Sequence, residues 1–216
     1  LGNGPSGWWA TRESISPLRF RIPDLVVVAC NRTGPRIGAD LTVAVDRAIV
    51  EAILFEDVWF GGLIAGLRSV VDAVAHERLQ PHQAEQRLVS LDDDPEGTGS
   101  GLAAFRAIVA AGAGAVVLSG FDGSADPRTR CQGQSGYRTM PGNPALLDHW
   151  NRAIEAQAAL ALAGGAIGAY AGPSGVLRLS PVAALPDARV REARDLAFIV
   201  GDLARPSQRE GAPCPS

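Results

Sequence analysis

Lysine is missing from this chain, and all 20 basic residues are arginine. That excludes two lysine chemistries, the Schiff base and the P-loop phosphate clamp. Cysteine is sparse: Cys30, Cys131 and Cys214, with no CxxC spacing. This argues against a disulfide framework and a structural zinc site, and for a reducing compartment. Histidine is equally scarce, at His76, His82 and His149, and none ends an apolar strand-like run. A Ser–His–Asp or Cys–His triad therefore has little to build on. No apolar run reaches the ~20 residues of a membrane span, and no signal peptide is visible, so a cytoplasmic location is expected. A net charge of −3 gives no overall basic footprint for nucleic acid.

What is present suits one α/β domain. A chain of 216 residues with 46% hydrophobic residues can bury a full core. The expected boundaries are 1–204 for the domain and 205–216 for a flexible tail, RPSQREGAPCPS. Leu1 opens directly on a glycine motif, so residues upstream, with most of a first strand, are expected.

The informative stretch is Gly97–Asp122, GTGSGLAAFRAIVAAGAGAVVLSGFD. It reads as a loop rich in backbone N–H groups, a helix over Leu102–Ala111, a glycine stop at Gly112 and Gly114, and a buried strand at Ala115–Ser119. Asp122 falls just past that strand. A Gly/Ser/Thr loop opening a helix suits an anion, and ligands of open α/β sheets bind at the carboxyl ends of the strands. Three further runs are expected to bring a polar side chain to that edge: LGNGPS with Asn3, LVVVACN with Asn31, and ADLTVAV with Asp46.

The remaining expectations follow the chain. Ser6 is read as capping a short helix over Gly7–Ser14, and RTGPRIG as a loop. Arg47–Asp57 reads as a helix broken by Trp59–Gly62, and Leu63–Leu79 as a second helix with Leu63, Leu67, Val70, Val71 and Val74 on one face. Arg87–Leu91 is a short strand, and the acidic turn at Asp92–Asp94 is more often solvated than metal-bound. Gly123–Pro144 has no period and is read as a lid-like loop carrying Arg128, Arg130, Gln132, Gln134, Tyr137 and Arg138. A helix over Asn143–Ala163, short extended pieces at Ala166–Ala171 and within Gly172–Pro181, and a final helix from Asp187 complete the reading. The fold class expected is thus α/β, a single Rossmann-like three-layer domain with a mostly parallel sheet. GNGPS is not the GxGxxG fingerprint, so NAD is not expected.

GNGPS, a strand ending in CN, a glycine-flanked SG opening a helix, and a strand ending in SGFD, in that order, resemble the single-domain bacterial sialyltransferases of glycosyltransferase family 42. Related phage and bacterial proteins with the same Rossmann-like domain share AVDRAIVEA-like and PGNPALLDHW-like segments. The resemblance spans roughly Leu1 to Leu185. It implies nucleotide contacts from Gly2, Asn3, Gly4, Asn31, Ser100 and Gly101, with Thr98 and Gly99 as near matches. It implies a CMP-type nucleotide sugar as donor, no required cofactor or metal, and a hydroxyl acceptor: a glycan by family default, DNA as the second acceptor class. The family uses a histidine base and tyrosine hydroxyls on the departing phosphate. This chain has no histidine between Asp122 and His149, and Tyr137 is the one tyrosine of that loop. The catalytic candidates are therefore Asp122, Tyr137 and His149. Two alternatives stand beside transfer: a non-catalytic nucleotide-binding or structural protein on this fold, and a pterin-type pyrophosphokinase using Mg²⁺ on Asp92–Asp94 or Asp122.

Overall fold

The structure, a computed structural model, describes residues 2, 10–22, 24–78, 87–93, 99–113, 116–118, 152–153, 156, 169–170 and 178–179. Its centre is a four-stranded, wholly parallel sheet in the order β1 (Val28–Cys30), β2 (Leu41–Val43), β3 (Leu63–Leu67), β4 (Leu88–Leu91). Parallel strands need a crossover between each pair. These are provided by α2 (Thr33–Ile37), α3 (Arg47–Phe55) and, between β3 and β4, α4 (Arg68–Arg78). α1 (Arg12–Arg21) precedes the sheet and α5 (Ser100–Ala110) follows it. A second sheet joins β5 (Val116–Val117) in parallel to β6 (Ala169–Tyr170), which pairs antiparallel with β7 (Arg178–Leu179).

Strand register sorts the core into two faces. Thr42, Ile64 and Leu88 align on one, and Val43, Ala65 and Val89 on the other. Ile64 packs with Ile49, Val50 and Ile53 of α3 and Val74 of α4. On the opposite face Val28, Cys30, Val43 and Ala65 pack against Ala103 and Ala104 of α5. Two alanines there let α5 lie close to β1 and β2, while Leu102 and Phe105 of the same helix pack on Val116 and Leu118. The chain is thus an α/β protein with helices on both faces of a parallel sheet. Among the described residues no helix is long and apolar enough to cross a membrane.

Three expected elements are corrected. Leu63–Leu79 is not one helix: LIAGL is β3, and the helix begins at Arg68. A short buried apolar run fits a helix face and a parallel strand equally well, and its pairing with β2 and β4 decides in favour of the strand. RTGPRIG is not wholly loop, because Thr33–Ile37 forms α2, ended by Gly38 in the left-handed conformation at φ 67°. The helix expected over Gly7–Ser14 is not continuous through Ala10 and Thr11, and the first described helix is Arg12–Arg21. Thr11 caps it: its Oγ1 accepts the Ser14 N–H at 3.2 Å, and Ser14 Oγ accepts the Thr11 N–H at 2.8 Å. The other central elements lie within a few residues of expectation, including the stop of α5 at Gly112, φ 80°. The expected lid at Gly123–Pro144, the helix from Asp187 and the tail from Arg205 lie outside the described residues. Of Asn143–Ala163, Arg152, Ala153 and Ala156 are described, and they are helical.

Candidate functional site

The carboxyl ends of β1 and β2 bring together two residues that are 69 apart in sequence. Asn31 follows β1 directly and adopts φ 54°, a left-handed conformation that asparagine tolerates better than most residues. Its backbone is held on both sides. The Asn31 N–H donates to the Val43 carbonyl at 2.8 Å, and the Thr42 hydroxyl donates to the Asn31 carbonyl at 2.6 Å. This locks the turn that presents the side chain.

Ser100, the first residue of α5, reaches that side chain. Its hydroxyl donates to Asn31 Oδ1 at 2.9 Å and accepts the Val45 N–H at 3.2 Å. Ser100 is 6% exposed, so an unpaired hydroxyl would be costly there, and both its donor and its acceptor capacity are used. The relay Val45 N–H to Ser100 Oγ–H to Asn31 Oδ1 fixes the amide. It leaves the Asn31 Nδ2 donors without a partner among the described residues. Gly99 is the N-cap of α5, and its carbonyl accepts from Leu102 and Ala103. The Ser100 and Gly101 N–H groups, at the start of the helix, have no acceptor among the described residues, as the first turn of a helix requires. The result is a set of neutral donors at the positive end of a helix, which suits an anionic oxygen.

Most charged groups around this edge are committed elsewhere. Arg32, next to Asn31, is bidentate to Asp57 at 2.9 Å for both contacts and also reaches Glu56 at 2.8 Å. The Asp57 hydrogen bonds, foremost, hold the guanidinium above its usual pKa. Arg47 pairs with Glu77 and Glu51. Asp46 stands at the N-cap of α3, exposed and without a capping hydrogen bond. Asp92 pairs with Arg68, and Asp93 accepts from Ser69. Among the described residues no group of three or more His, Cys, Asp or Glu side chains could hold a metal.

Of the residues expected at the site, Asn31, Gly99, Ser100 and Gly101 lie in this one place, and Gly2 is buried. Asn3, Gly4, Thr98, Asp122, Tyr137 and His149 lie outside the described residues. Cys30 is buried in β1, and His76 is exposed on α4. Thr42 was not foreseen as part of the site. Its signal was a single hydroxyl inside the apolar strand LTV: such a group, 0% exposed, must find an acceptor, and the one it finds at 2.6 Å is the Asn31 carbonyl.

No family model matches the chain, and neither a curated protein nor a solved structure matches it. The functional reading therefore rests on the geometry above and on the motifs.

Proposed function

We propose that the carboxyl edge over Asn31 and Ser100 binds the phosphate-bearing part of a nucleotide, within a Rossmann-like three-layer domain. The observation that carries this is the Ser100–Asn31 hydrogen bond. It ties a strand end to a helix N-terminus and leaves amide and backbone donors together without acceptors among the described residues. Phosphoryl oxygens accept several such hydrogen bonds at once, and the helix end adds a favourable potential without a full charge.

The reaction is taken from the motif resemblance: transfer of a sugar from a CMP-type nucleotide sugar to a hydroxyl acceptor. In that reading Gly2, Asn3, Gly4, Thr98 and Gly99 complete the nucleotide contacts and Gly123–Pro144 closes over the donor. Tyr137 meets the departing phosphate, and Asp122 or His149 takes the acceptor proton. A base near the acceptor hydroxyl and hydrogen bonds on the leaving phosphate are the two requirements of such a transfer. The second reading, nucleotide binding without turnover, is favoured by the lack of histidine between Asp122 and His149.

Calorimetric titration with CMP, UMP, GMP and AMP, with and without Mg²⁺, tests the binding. CMP is expected to bind without Mg²⁺, and Asn31→Ala to weaken it by about 1–3 kcal/mol. Failure of every nucleotide to bind at millimolar concentration overturns the proposal. Release of CMP from a CMP-sugar separates transfer from binding alone.

A further inference from the structure

The opposite edge of the sheet carries a concavity of about 540 Å³, within the range of small-molecule sites. One wall is a single face of α1: Arg12, Ile15, Ser16 and Arg19, at helical spacing. The facing walls are the segments that lead into β2 and β3. Gly62 belongs there because a Cβ would press on the Ala39 carbonyl and the Phe60 ring.

Its charges are unequal. Arg19 donates to Asp40 Oδ1 at 2.5 Å and to the Gly38 carbonyl at 2.9 Å, and Asp40 Oδ2 accepts the Val27 N–H at 2.7 Å. Both carboxylate oxygens and the Arg19 charge are therefore engaged within the fold. Arg12 differs. Its guanidinium lies 4.4 Å over the Trp59 ring and donates from Nη2 to the Pro35 carbonyl at 3.1 Å. Among the described residues no carboxylate forms a salt bridge with it, though the adjacent Glu13 lies in its field. Gly38 flanks its stem, so that a Cβ there would sit 3.6 Å from Arg12 Nε. The side chain is held in place while most of its five donors stay open among the described residues. The apolar surface that water still reaches is Trp59, 54% exposed, and Leu63, 45% exposed, while Ile15, Ile37 and Phe60 beneath are closed off.

We infer that this concavity is a binding site for a small planar aromatic carboxylate, separate from the nucleotide edge. The ring lies on Leu63 and on the part of Trp59 that Arg12 does not cover, and the carboxylate takes the open donors of Arg12. A planar guanidinium matches a two-oxygen monoanion. A phosphate dianion is disfavoured, because Arg19 is already neutralised and Asp40 stands on the same rim.

Naphthalene-2-carboxylate is the probe, and its neutral carboxamide is the control, both titrated into the full chain by calorimetry. The carboxylate is expected to bind at least tenfold more tightly than the carboxamide. Arg12→Gln should abolish that preference, and Trp59→Ala should weaken both compounds at least fivefold. Equal affinity of the two compounds for the wild-type chain, or no saturable binding of either, overturns the assignment whether or not the variants fold. So does a preference unchanged in Arg12→Gln. CMP titration into Arg12→Gln should match wild type, which keeps this site distinct from the nucleotide edge.

Discussion

The two edges of the parallel sheet are built on different principles. At the carboxyl edge of β1 and β2 the open donors are neutral: an asparagine amide and the first N–H groups of a helix. At the amino edge the groups are charged, and the fold cancels most of the charge itself through Arg19, Asp40 and the Val27 N–H. A parallel sheet creates this asymmetry. All strands end on one edge, where the following helices begin, so unpaired backbone donors collect there. The other edge gathers strand starts and long connections, which side-chain ion pairs must hold in place. One edge thus offers ready-made donors, while the other offers charge that its pairs leave over, as at Arg12.

The largest expected effect is one that disturbs both edges together. Gly34 of α2 lies so close to β2 that a Cβ would fall on Thr42 Cβ and within 2.5 Å of Thr42 Oγ1. The same α2 supplies the Pro35 carbonyl to Arg12, and Thr42 fixes the Asn31 carbonyl. Gly34→Ala should destabilise the chain by about 3 kcal/mol, the upper end of ordinary overpacking, and should weaken CMP and naphthalene-2-carboxylate alike. Urea denaturation gives the first quantity and calorimetry the second. A variant as stable as wild type would show that α2 moves away freely and that the two edges are not coupled through it.

A smaller effect isolates the carboxyl edge. At φ 54° an alanine pays a steric penalty that glycine does not. Asn31→Ala is therefore expected to be less stable than Asn31→Gly by about 1 kcal/mol. Both lack the amide, so both should lose nucleotide affinity to a similar degree, and neither should change binding at the Arg12 rim. If Asn31→Gly binds CMP as wild type does, the amide is not a ligand contact and the role of Asn31 is to turn the backbone.

Much of this edge was legible in the sequence, and the reason is local. CN after a strongly apolar run, and SG opening an alanine-rich helix, are signals carried by two or three adjacent residues. β3 was not legible as a strand, because LIAGL has no alternation: its three central residues are buried on both faces, so periodicity carries no information. The amino-edge concavity was invisible for another reason. Arg12, Asp40 and Trp59 are single residues on separate segments, and only the packing of α1 against the α2–β2 connection makes them neighbours. The Arg32–Asp57 pair belongs to the same class: it joins residues 25 apart and no motif announces it.

The smallest expected effect concerns an exception to the contrast between the edges, a charge at the carboxyl side that is held by a helix start. Asp93, two residues beyond β4, accepts the Ser69 N–H at 3.0 Å and the Ser69 hydroxyl at 2.7 Å. Ser69 is the second residue of α4, so the carboxylate fills a helix N-terminus from within the chain. The backbone hydrogen bond first, and then the hydroxyl, lower the Asp93 pKa, with a further contribution from Arg68. Arg68 is itself paired with Asp92. A folded-state pKa below the unfolded value of about 3.9 means that the ionised form favours the folded chain. That contribution is complete above the unfolded value and is lost as pH falls through the folded one. The test is a carbon-detected NMR titration of the Asp93 carboxyl between pH 2 and 6. Its midpoint should lie below 3.9 in wild type and move upward in Ser69→Ala, where the hydroxyl is gone and the backbone N–H remains. Thermal melts from pH 5 down to 3 should fall slightly more steeply for wild type than for Ser69→Ala. Glu13, also shifted downward at the start of α1, titrates in both proteins and drops out of the difference. A midpoint that does not move in Ser69→Ala would mean that the hydroxyl does not hold Asp93. The connection from β4 toward α5 and Ser100 would then lose this part of its anchor on α4.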